Sequence, residues 1–174
     1  MQNRTLPNLI LENEDYIFYG NLTIEGDFIV KNSNIFVSGT LKFTNKNKAT
    51  VSITNGNISA CKLESNADIF IRNGDISVMF LEARNIDSDG TISVLNKADV
   101  YDIVCFNYLI TGNNDSGRIS AFHDICILGE NDSRNIIGRY VFVADNCYLN
   151  KTGVTAKEFE CGGKIEDCLY SLIA

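Results

Sequence analysis

GNISACKLESNADIFIRNGDISV, residues 56–78, contains the phrases GNISA, ADIFI and GDISV, each alternating polar and apolar residues. Alternation over about five positions marks a strand with one buried face, and the Gly, Asn and Asp between such runs mark turns. Working outward, the glycine-led phrase recurs as GNLTI from Gly20, GDFIV from Gly26, GTLKF from Gly39 and GTISV from Gly90. Glycine-free versions fall between them, NIFV from Asn34 and TVSI from Thr50. The main glycines Gly20, Gly39, Gly56, Gly74 and Gly90 follow one another at nearly even steps. That spacing suits a coil of three short strands and three turns.

Such a repeat predicts an all-β, single-domain parallel β-helix, or β-solenoid, in which each strand pairs with its counterpart one coil away, about 4.8 Å along the axis. Coils of this size with unequal strands favour the right-handed form. An antiparallel sandwich is the competing architecture, since it too strings short strands between turns.

In the second half Cys105, Cys126, Cys147 and Cys168 stand 21 residues apart, and GRISAFHDIC over GRYVFVADNC keeps glycine, arginine and aspartate in register. This predicts a coil of that length, with the four thiols as an inward structural column. The expected layout is an N-terminal cap over 1–19, coils over 20–158, and a last partial coil with a C-terminal cap over 159–174. Leu9, Ile10, Leu11, Ile17 and Phe18 would cover one end, and Phe159 with residues 169–173 the other, hiding sheet edges that invite pairing.

One proline, no tryptophan and many Asn, Asp and Gly suit a sheet-rich chain with tight corners. The net charge of −7 argues against nucleic acid or an anionic membrane as partner, because both require a basic face. Asn45-Lys46-Asn47-Lys48 is the nearest basic cluster and reads as a solvated corner. No export signal or membrane span is read, so the expected location is cytoplasmic, with the thiols reduced. The cysteines lack Cys-x(2–4)-Cys pairs, so no metal and no cofactor is expected.

The single histidine, His123, has Asp124 beside it and, in the register of the cysteines, Asp102 one coil away; Ser120 and Cys126 are near in sequence. No complete catalytic set results, and no catalytic residue is assigned. Asp99, Asp102, Asp124 and Asp145 would form a carboxylate column of the kind carbohydrate-cleaving β-helices use. They read more simply as outward acids, which makes Asp99, Asp124 and Asp145 the candidate binding residues.

The run GNLTIEGDFIV, and again residues 56–78, resembles the polymer-forming β-helical domain of bactofilins over about Gly20 to Leu95. The resemblance implies a stack of similar coils assembling end to end, without catalytic residues. The longer coils, the cysteines and the apolar ends depart from that family and put polymerisation in doubt. The expected function is non-catalytic: a monomer or small closed oligomer that binds another protein, of basic charge, through a rigid acidic surface, as a scaffold or a toxin-neutralising immunity protein or inhibitor. The alternatives are a bactofilin-like filament subunit and a carbohydrate-active enzyme.

Overall fold

The computed structural model describes residues 2–44, 50–145, 148–150 and 152–173; Cys147 and the corner at 45–48 lie outside them. The described chain is a parallel β-solenoid of about 9 turns, without a helix. One inward column shows how it is built. Leu9, Phe28, Val51, Ile69, Ile86, Ile103, Ile119, Ile136 and Val154 stack in register, one per coil. Most are β-branched residues, whose restricted side chains fit a pleated surface. Burying each contributes about 1.5–3 kcal/mol relative to leaving it in water.

Each coil lays down three faces. The first holds strands such as Gly20–Ile24, the second strands such as Leu9–Glu12 and Ile69–Arg72, and the third strands such as Tyr16–Phe18 and Asp124–Ile127. Alternation along each strand turns every second residue inward. The strands run longer than the phrases predict: Ile35–Phe43 crosses from the third face to the first, with a register shift between Val37 and Thr40, and Thr91–Cys105 runs over all three faces. Bends within strands therefore replace several expected turns.

The core changes character along its length. On the first face the inward column reads Leu22, Leu41, Leu63, Leu81, Ala98, Asn114, Asn131 and Leu149. Where leucine gives way to asparagine a buried network appears. Tyr108 donates from its hydroxyl to Asn114 Oδ1 at 2.7 Å, Ser116 donates to the same oxygen at 3.0 Å, and Asn114 Nδ2 donates to Asn131 Oδ1 at 2.6 Å and to Ser133.

Two expectations need correction. Among the described residues the cysteines do not stack as a column: Cys105 pairs with Ala121, and Cys126 with Leu109 and Phe142. Register follows the inward isoleucines Ile103, Ile119 and Ile136, which recur at a shorter interval than the cysteines, so the cysteine spacing is not a coil length. The glycines belong to separate corners: a Cβ on Gly39 would meet Gly20, and one on Gly90 would meet Gly74, so the step from Gly39 to Gly56 crosses between corners. Both end segments pair with the neighbouring coil. Leu9–Glu12 pairs with Phe28–Lys31, and Leu169–Leu172 pairs with Gly153–Ala156.

Candidate protein-binding surfaces

Outward positions of the first face carry a column of charge. Thr23, Lys42, Glu64, Glu82, Asp99 and Asp115 succeed one another in register, and Asp132 follows Asn131, the bridge partner of Asn114. Lysines neutralise the early carboxylates: Lys42 Nζ lies 2.7 Å from Glu64, and Lys62 Nζ lies 3.0 Å from Glu82 and also contacts Glu64. Hydrogen bonds from Lys42 and Lys62 hold the Glu64 carboxyl below its ordinary range. No ion pair holds Asp99, Asp115 or Asp132 among the described residues. Like charges directly opposite on neighbouring strands repel, so the fold gains nothing from this stretch. A shallow depression beside it is lined by Asp99, Tyr101, Asp115, Asp132 and Arg134.

The corner between the second and third faces has two halves. In the early coils Asn13, Asn32, Asn55 and Asn73 occupy it at φ of 61°, 49°, 54° and 55°. Asparagine tolerates this left-handed conformation better than most residues. Its amide also links coils: Asn32 donates to Asn13 at 2.9 Å, Asn55 to Asn32 at 2.9 Å and Asn73 to Asn55 at 3.0 Å. Beside it runs a second ladder, in which the backbone N–H groups of Asn34, Asp75 and Thr91 bond to Asp15, Asn57 and Asp75 at 2.7, 2.8 and 2.7 Å.

From Phe106 onward rings take over. Phe106 stacks on His123 with centroids 5.5 Å apart, His123 meets Tyr140 edge-on at 5.8 Å, and Arg139 lies 5.2 Å from the Tyr140 centroid. Phe122, next to them, is 73% exposed. Leu109, Cys126 and Phe142 form an outward row on the adjoining third face.

The expected binding residues part company here. Asp99 belongs to the first-face column, and Asp124 lies on the third face, paired in register with Tyr140 and not with Asp145. Asp145 sits beyond Val143 at another corner, against Gly162. Asp102 is opposite Arg118 and bonded to its guanidinium, so it does not serve His123. The imagined carboxylate column therefore dissolves, because the register that created it followed the cysteines and not the isoleucines. His123 Nδ1 does lie 2.8 Å from Asp124 Oδ1, but no bond joins the imidazole to Ser120 or Cys126 among the described residues.

The thiols are equally scattered. Cys105 is fully buried, and burial pushes its thiol up to about 12. Cys126 is half-buried and directed outward, Cys161 contacts the Gly163 carbonyl and Cys168 the Glu166 carbonyl. No group of three or more metal-ligating side chains is assembled among the described residues, and no described helix is long and apolar enough to cross a membrane. Sequence reading missed Glu64, Glu82, Asp115 and Asp132, although each is the outward residue beside an inward one on the first face. No protein-family model, curated protein or solved structure matches the chain.

Proposed function

We propose that the protein is a non-catalytic binding module that takes a basic protein partner on its first face. The observation that carries this is the outward column Glu64, Glu82, Asp99, Asp115 and Asp132, whose last three members make no ion pair among the described residues. The solenoid fixes the backbone beneath these carboxylates on consecutive strands, so little backbone freedom remains to be lost on binding. A complementary row of Lys or Arg would relieve the repulsion and speed encounter, an advantage that falls as salt screens it. Neutralisation of a basic toxin by its immunity protein is one instance of such pairing, and a cytoplasmic scaffold is another.

Co-purification from the native host, followed by association kinetics with the captured protein, tests the reading. Asp99→Lys with Asp115→Lys is expected to slow association at least tenfold at low salt. A partner whose association ignores both that variant and salt overturns it. Light scattering over a concentration series separates it from the filament alternative, which requires unlimited growth.

A further inference from the structure

The chain carries net charge −7, which opposes self-association over most of its surface. One region differs. Around the corner of the later coils, Phe106 (45% exposed), Phe122 and Phe142 (38% exposed) lie beside half-buried Tyr140, His123 and Leu109. Aromatic clusters with a charged rim are what protein interfaces present, and exposed clusters of this kind are otherwise a solubility liability. Nothing in the fold demands rings at these positions, since the same corner is closed by asparagines in the early coils.

The rim indicates which partner fits. Arg139 and Lys157 occupy the corner row, Lys157 falling opposite Arg139 between the pairs Gly138–Ala156 and Tyr140–Glu158. Asp124, Glu158 and Glu160 occupy the parallel rows of the third face. Basic and acidic rows thus lie side by side on one surface. A two-fold axis parallel to the solenoid and between these rows sets the corner of one copy against the third face of another. Phe106 and Phe122 then face Leu109 and Cys126 of the second copy, and Lys157 faces its Glu160.

We propose that this surface is the self-complementary interface of a closed two-fold dimer. A basic third protein would meet Arg139 and Lys157 here, and an acidic one Asp124, Glu158 and Glu160; a second copy sets Lys157 against Glu160 and Arg139 against Phe142. The corner joins the second and third faces, so the dimer leaves the first-face carboxylates open on each copy. The inference does not depend on their having a partner.

Sedimentation velocity on the untagged full chain, from micromolar to near-millimolar concentration, is the test. The expected result is a monomer–dimer equilibrium with no larger species. Phe122→Asp is expected to weaken it about 30-fold, the size of an interface hot spot, with the circular dichroism spectrum unchanged. Lys157→Glu and Glu160→Lys are each expected to weaken it severalfold, and the combined swap to restore it. Asp99→Lys is expected to leave it unchanged. A monomer at every concentration overturns the proposal, as do a dimer that survives Phe122→Asp, a swap that fails to restore, and open-ended growth.

Discussion

At the corner between the second and third faces the early coils carry Asn13, Asn32, Asn55 and Asn73, and the later coils carry Phe106, Phe122, His123 and Arg139. The backbone path is continuous between them, yet the two halves are held differently. The asparagines satisfy donors and acceptors from coil to coil and accept a left-handed backbone, so they serve the fold. The rings hold each other at 5.5 and 5.8 Å and leave Phe122 in solvent, so they leave a surface to be covered. The interior repeats the contrast, with a leucine column in the early coils and the Asn114–Asn131 network in the later ones. A solenoid tolerates this because each coil answers only to its neighbours.

The largest test of the contrast is in the core. Leu63→Ala is expected to cost about 2–5 kcal/mol by chemical denaturation, as deletion of a fully buried leucine does. Asn114→Leu would carry the apolar column one coil past Ala98, yet it should also destabilise, by about 2–4 kcal/mol, because the Tyr108 hydroxyl loses its acceptor and Asn131 Oδ1 one of its two donors in a buried site. A neutral or stabilising Asn114→Leu would show that the two halves of the core are interchangeable.

Next comes the corner itself. Asn55→Ala should cost about 1–3 kcal/mol, from a φ of 54° that alanine resists and from lost bonds to Asn32 and Asn73. Asn55→Gly should recover the backbone share. Phe122→Ser should stay within about 0.5 kcal/mol, as exposed substitutions do. Equal losses at Asn55 and Phe122 in matched thermal melts would erase the distinction.

Thiol chemistry separates buried from outward positions. Cys105 should resist alkylation until the protein unfolds, while Cys61, exposed in part, reacts in the native state. Because the folded Cys105 pKa is raised, to about 12, its contribution to stability is complete below the unfolded thiol value of about 8.5 and is lost as pH climbs from there. Alkaline melts should show that loss, and Cys105→Ala should blunt it.

The smallest effect is on the first face. The depressed Glu64 carboxyl stabilises the fold above the unfolded value of about 4.3, and that contribution disappears as pH falls through the folded value. Glu64→Gln should therefore flatten the acid limb of the pH–stability curve only slightly, the group lying at the surface with both lysines partly exposed. Asp99→Asn with Asp115→Asn should instead raise stability by a few tenths of a kcal/mol at low salt, the repulsion being removed. A loss there would mean that these two aspartates support the fold.

The early coils were legible because their signal is local. Residues 56–78 hold strand alternation and turn residues in one short window. The steps from Gly56 to Gly74 and on to Gly90 are true coil steps, since Ile58, Ile76 and Ile92 pair in the same register. The later coils misled because GRISAFHDIC and GRYVFVADNC look alike at the cysteine spacing, a likeness that the isoleucine column outweighs. Asp99 was found as an outward acid, but its companions Glu64, Glu82, Asp115 and Asp132 could be assembled only once register was known.

Alternation, glycine and asparagine content, and net charge, all read from the sequence, determined a parallel solenoid and an acidic surface, since each is a property of one residue and its immediate neighbours. Which carboxylates stack, which cysteine is buried and which rings meet were decided by tertiary structure. Moving the register by a few residues changes every cross-coil partner while leaving each strand's own pattern intact.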